Sequence, residues 1–219
     1  MPLDFLAVVF DMDGTLFGTE RLAIDGLQAA FAEHGLHVSE QALETVIGRS
    51  GKETREYLGT LVPEHLSVDT ILRRGADIVR ARIHGEGLPV KPGVELILRF
   101  LQERGIPMGL ATSTRSATAR DNLRRANLGG YFSVVIGGDD VEHHKPHPEV
   151  YLRAVAQLGT TPAKAIAVED SDLGIQAASA AGLRVIHVPD IKRIDLHTRS
   201  LIHREYPTLV HLHDELAAE

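Results

Sequence analysis

Residues 5–15 read FLAVVFDMDGT. Phe5 to Phe10 is a short apolar run with β-branched residues, and it stops at an acidic, glycine-bearing stretch, DMDGT at 11–15. That pattern predicts a buried strand with a polar loop at its carboxyl end. Similar runs recur at Met108–Ala111, Val134–Ile136, Ala165–Val168 and Arg184–Val188. Between them lie helical spacings over Val94–Arg104, Ala117–Ala126, Glu149–Leu158 and Leu173–Ala181. Strand and helix alternating in this way predict an α/β fold, a Rossmann-like parallel sheet with helices on both faces.

The first strand must join that sheet across about seventy residues that contain no convincing strand. Leu22, Leu27, Ala30 and Phe31 predict one amphipathic helix there, which Gly35 can close. Ser39 followed by Glu40 to Ile47 predicts a second, ending near Gly48. Thr70 to Ile83 predicts another, with Ile71, Leu72, Ile78, Val79 and Ile83 as its buried positions. Gly85, Gly87, Pro89 and Pro92 mark a return connection. The expected organisation is a catalytic core at residues 1–18 and 88–219, with an inserted helical-bundle cap at 19–87.

Polar clusters follow four of the predicted strands: Asp11 and Asp13, Thr112 and Ser113, Lys145 in HHKPHPEVY (143–151), and Glu169 with Asp170 in AVEDSDLG (167–174). Ligand sites in open α/β sheets form outside the carboxyl ends of the strands, so these clusters should meet in one crevice. Phosphoryl transfer suits them. A carboxylate approaches a phosphate dianion only when a cation neutralises the like charges, and Asp11, Asp170 and Glu169 are the candidates to hold Mg2+. Lys145 offers a fixed positive charge and Thr112 a hydroxyl donor. Asp13 stands two residues from Asp11, so on an extended segment both leave the same face. It is placed to protonate a leaving alkoxide and then to deprotonate the attacking water. Taken singly, each cluster has an ordinary reading as a turn, a solvated lysine, a helix start or an acidic loop pair. Four complementary clusters in order outweigh those readings.

At these motifs the chain resembles the haloacid dehalogenase-like superfamily of phosphatases, through DMDGT at 11–15, LATS at 110–113, Lys145 in KPHP and VEDSDLG at 168–174. The resemblance covers nearly the whole chain. It implies Asp11 as nucleophile, Asp13 as general acid/base and Thr112 with Lys145 as the phosphate-binding pair. It also implies Asp170 as a magnesium ligand, Glu169 as its partner in the metal site, and a metal contact from the backbone carbonyl of Asp13. The helical insert matches the small cap of the branch that holds β-phosphoglucomutase and many sugar-phosphate phosphatases. Too few residues separate Ile136 from Lys164 for the larger cap of other branches.

Asp13 favours phosphate-ester chemistry over dehalogenation, because the leaving alkoxide needs a proton. The chain departs from the pattern at Gly18-Thr19-Glu20, where a polar residue is usual in place of Gly18. It also carries Ala23 and Gly51 where the mutases place a histidine and an arginine. Both losses favour a phosphomonoester hydrolase over a phosphomutase. A non-enzymatic phosphometabolite-binding regulator is the remaining alternative, and the intact set of core residues speaks against it. Within the cap, GRSGKE at 48–53 reads as a glycine-bounded turn whose Arg49 and Lys52 are the candidates for choosing the substrate.

Composition excludes other classes. The chain has 219 residues, 43% hydrophobic and 24% charged, with no cysteine, so thiol catalysis and disulfides are ruled out. A net charge of −7 argues against a nucleic-acid partner. No apolar stretch is long enough to span a bilayer, and Met1 to Phe10 lacks the basic region of a signal peptide. A cytoplasmic protein acting on a small phosphorylated metabolite is expected. His143, His144 and His147 flank Lys145. With no cysteine and no helical metal motif they read as surface histidines.

Overall fold

A computed structural model describes residues 5–47, 51–191 and 194–218. The chain divides into two compact units, Met1–Gly18 with Pro89–Glu219 and, inserted between them, Thr19–Leu88.

The first unit is built on a six-stranded sheet formed by β1 (Ala7–Phe10), β2 (Met108–Ala111), β3 (Phe132–Ile136), β4 (Ala165–Glu169), β5 (Arg184–His187) and β6 (Arg204–Glu205). The order is β3-β2-β1-β4-β5-β6, and each neighbouring pair is parallel. The strands are short because each runs straight into a polar loop. The first is shorter than its apolar run, starting at Ala7 instead of Phe5. Helices α5 (Val94–Glu103), α6 (Ser116–Arg125), α7 (Glu149–Gln157), α8 (Asp172–Ala180), α9 (Leu196–Arg199) and α10 (Leu209–Ala218) complete the unit. The alternation of side chains along β1 and β4 sends Ala7, Val9, Ala165 and Ala167 into one core cluster with Val150, Tyr151 and Ala154 of α7 and Ala177 and Ala178 of α8. The small residues let these helices lie close on the sheet. β6 was not anticipated: its two residues are polar and too short to show a period.

Register decides what the sheet presents. Phe10 pairs with Leu110 on one side and with Val168 on the other. The next residues, Asp11, Ala111 and Glu169, therefore stand side by side at the carboxyl edge. The strand order reverses direction at β1, the position where such sheets open a crevice.

The second unit contains α1 (Thr19–Glu33), α2 (Glu40–Glu44), α3 (Gly51–Gly59) and α4 (Val68–Glu86). Gly35, with φ +70°, follows α1 in the left-handed conformation that glycine tolerates. Ser39 caps α2 by accepting from the Ala42 amide at 3.2 Å, but the helix ends at Glu44 and not at Ile47. The stretch read as a turn at 48–53 is helical from Gly51 onward, so Lys52 sits in the first turn of α3. Among the expected buried positions of α4 only Ile71 is fully buried, and Gly75 is the other residue the helix hides. α1 and α4 cross at a pair of glycines. A Cβ added to Gly26 would stand 2.6 Å from Val79 Cγ2 and 2.8 Å from the Gly75 carbonyl oxygen. Backbone-to-backbone approach fills the place of an apolar stripe, which is why Leu72, Ile78, Val79 and Ile83 are only half-buried. Among the described residues no helix is long and apolar enough to cross a membrane.

Candidate active site

The site is assembled within the first unit from four loops at the carboxyl edge of the sheet. Asp11 follows β1, and its amide donates to the Val168 carbonyl at 3.0 Å, so its backbone is held by the sheet. Lys145 arrives from the loop between β3 and α7. Its ammonium donates to Asp11 Oδ1 and Glu169 Oε1, both at 2.6 Å, and to the Ala111 carbonyl at 3.1 Å. Its side chain is only 5% exposed. Burial pulls this ammonium down, but Asp11 and Glu169 together outweigh it and hold Lys145 above its ordinary value.

Glu169 is fully buried and heavily partnered. Besides Lys145, its Oε1 accepts from the Tyr151 hydroxyl at 2.6 Å. Its Oε2 accepts from the Asp170 and Ser171 amides at 3.0 and 3.3 Å and from Ser171 Oγ at 3.1 Å. Burial works against its charge, yet Lys145 and Tyr151 keep its carboxyl below the usual range. Burial lifts Asp11 well above the carboxylate range, with Lys145 opposing. One lysine thus serves two carboxylates at equal distance.

Asp170 is buried on the other side of Glu169 and accepts from the Thr15 hydroxyl at 3.2 Å. Oxygens of Asp11, Glu169 and Asp170 lie within 4.8 Å of one another. Three buried carboxylates against one ammonium leave net negative charge in a poorly solvated place. An all-oxygen donor set of that sign fits a hard divalent cation such as Mg2+.

Asp13 and Thr112 complete the set. Asp13 Oδ2 accepts from the Thr114 hydroxyl at 2.7 Å. Thr112 is buried at the end of β2, and its Oγ1 accepts from the Thr114 amide at 3.1 Å, which leaves its own hydroxyl hydrogen to donate. Ser113 is exposed. α6 begins at Ser116, so neither Thr112 nor Ser113 caps it. Lys52, in the second unit, is 86% exposed and 3.8 Å from Glu56; Arg49 lies outside the described residues.

Several supporting residues carried no signal in the sequence. Thr114 is one polar residue among many in TSTRS. Tyr151 reads as an apolar position of α7. Lys91 stands in a proline-glycine connection, yet its ammonium donates to the Gly14 carbonyl and to Asp190 Oδ1, the latter at 2.8 Å. The one available hint was the spacing of Tyr151 from Lys145, which places it at the first turns of the helix that follows.

Parallel-sheet topology, an acidic cluster and a buried lysine describe a doubly wound core with a site suited to phosphoryl transfer, and the family match and named relatives make the class a phosphoric monoester hydrolase. The sequence matches the haloacid dehalogenase-like hydrolases over residues 8–188, and the chain belongs to that family. It is 34% identical over 181 residues to a phosphorylated carbohydrates phosphatase of Thermotoga maritima, covering 83% of each chain. It is 30% identical over 184 residues to a fructose-1-phosphate phosphatase of Escherichia coli, covering 84% of this chain and 96% of that one. Among solved structures it resembles a haloacid dehalogenase family hydrolase of Deinococcus radiodurans with bound phosphate and sodium. The TM-score is 0.82 at 25% identity, over 99% of this chain and 96% of the other.

Proposed function

We propose that the chain hydrolyses the phosphate monoester of a small sugar or related metabolite, with Mg2+, through a phosphoryl group carried on Asp11. The observation that supports this reading most is Lys145 pinned between Asp11 and Glu169 at 2.6 Å from each. Such a lysine engages Asp11 Oδ1 and leaves a positive charge beside it for the incoming phosphoryl oxygens. Asp11 attacks phosphorus and the ester P–O bond breaks. Asp13, oriented by Thr114, gives its proton to the departing alkoxide. Asp13 then takes a proton from water, which attacks the same phosphorus and releases Asp11 and inorganic phosphate. Thr112 donates to a phosphoryl oxygen throughout. Asp11, Asp170 and the Asp13 carbonyl would hold the cation, with Glu169 as their partner in the same acidic cluster, and the cation would supply charge neutralisation between carboxylate and phosphate.

The named activities of the relatives support a sugar phosphate as the substrate class. Choice among esters falls to residues 19–88, because the core groups meet only the phosphoryl group and the cation. Arg49 and Lys52 are the candidates there, and alanine at either should lower kcat/KM unequally across esters with and without a second anion.

A panel of phosphorylated metabolites, assayed for inorganic phosphate with Mg2+ present, tests the whole reading. Asp11→Asn should show no multiple turnover on any member. Release of inorganic phosphate, as against an isomeric sugar phosphate, separates the hydrolase from a phosphomutase. Turnover by Asp11→Asn, or the absence of a substrate in the wild type, would overturn the assignment.

A further inference from the structure

The loop that delivers Lys145 carries a second group of potential ligands on its outer side. His143 and His147 are four residues apart with no helix joining them, so their convergence is not a product of helical spacing. The loop folds back on itself instead, with the His147 amide donating to the His144 carbonyl at 2.9 Å. This brings the two imidazole rings to 4.5 Å between centroids, tilted by 34°. Glu149, the first residue of α7, points its carboxylate at the same place, with Oε2 3.2 Å from His143 Nδ1. That carboxylate is already fixed. It accepts from the Glu142 amide at 3.1 Å and the His143 amide at 3.0 Å, and Arg153 stands 2.8 Å from its other side.

One nitrogen from each histidine and one oxygen of Glu149 lie within 4.8 Å of one another. Bonds of about 2.1 Å to a tetrahedral ion set neighbouring donors roughly 3.4 Å apart. Rotation of two exposed rings covers the difference, while Glu149 stays where its amides hold it.

We propose that His143, His147 and Glu149 form a surface site for a borderline divalent transition metal such as Zn2+, distinct from the oxygen cluster at Asp11 and Asp170. Imidazole nitrogen selects such ions over Mg2+, whereas the carboxylate cluster selects the harder ion. The ligands straddle Lys145, so an ion there ties together the backbone on both sides of the residue that pins Asp11. The site leaves one or more coordination positions to water, since three protein ligands do not fill a tetrahedron.

Calorimetric titration of ZnCl2 into the 219-residue chain, with Mg2+ at saturating concentration, tests this. The wild type should bind one Zn2+ more than a His143→Ala/His147→Ala variant. Each single substitution should weaken that event about tenfold or more, since loss of a mere supporting contact already costs that much. Both histidines are exposed and outside the catalytic set, so turnover with Mg2+ alone should match the wild type, which shows that the variants are folded. Equal Zn2+ uptake by the wild type and the double variant would overturn the proposal. This outcome is independent of the catalytic reading, which Asp11→Asn tests separately.

Discussion

The backbone of Gly14 lies directly against the carboxylate of Asp170: a Cβ built on Gly14 would stand 2.2 Å from Asp170 Oδ2. Gly14 also has φ +92°, a conformation that other residues resist. Glycine in DMDGT therefore serves close approach as well as turning.

Gly14→Ala should combine backbone strain with displacement of Asp170. A shift of about 1 Å at a reacting centre costs on the order of 100-fold in rate, and kcat should fall by about that much. Steady-state kinetics alongside a thermal melt checks this. A variant with wild-type kcat would mean that Asp170 does not need its present position.

Removing the divalent ion should stop turnover, and Mg2+ should restore it while Ca2+ restores little. Calcium accepts longer bonds and more ligands than the octahedral ion, and so disturbs in-line geometry at Asp11. Activity after exhaustive chelation, followed by readdition of each ion, is the measurement. Unchanged turnover in chelator would remove the cation from the reaction.

Lys91 holds the Gly14 carbonyl and pairs with Asp190, so it braces the loop that backs Asp170 without reaching the reacting groups. Lys91→Met should raise the Mg2+ concentration for half-maximal activity by about 10-fold, the usual scale for a lost supporting contact around a metal site. KM for substrate at saturating Mg2+ should change less. An equal loss in both would assign Lys91 a general structural role instead.

Gly26→Ala tests the crossing of α1 and α4. Its new methyl meets the Gly75 carbonyl and Val79, and overpacking of this kind costs about 1–3 kcal/mol. Urea denaturation followed by circular dichroism should show a lower midpoint for the helical signal. An unchanged midpoint would mean that the helices separate readily to admit the methyl.

What was legible in the sequence was legible for a physical reason. A buried parallel strand is a short apolar run, and the polar residues of the candidate site come immediately after it, so Asp11, Thr112, Glu169 and Asp170 announce themselves by position. Lys145 was found by the order of motifs, since it is nine residues beyond the end of β3. The helical unit was harder. α3 buries only Leu58, and so shows no apolar stripe. α4 is held by Gly75 and Ile71, and a scan for large apolar residues passes over a glycine. The partners of the site were invisible for another reason: Thr114, Tyr151 and Lys91 act through contacts made only once the loops are assembled.

The two ends of the inserted segment are fastened to each other. Gly18 donates its amide to the Pro89 carbonyl at 2.9 Å, Lys91 donates to the Leu16 carbonyl at 2.9 Å, and Phe17 bridges Val90. The chain thus leaves the core and returns to it through neighbouring points, and the intervening residues 19–88 form a loop already closed at its base. Closure entropy grows so slowly that doubling such a loop costs only about 0.6 kcal/mol. Replacing 19–88 with a short glycine-serine linker should leave a folded core with a cooperative melt. The length of the insert can then vary while the geometry between Asp11 and Lys145, which rests on the sheet, is left unchanged.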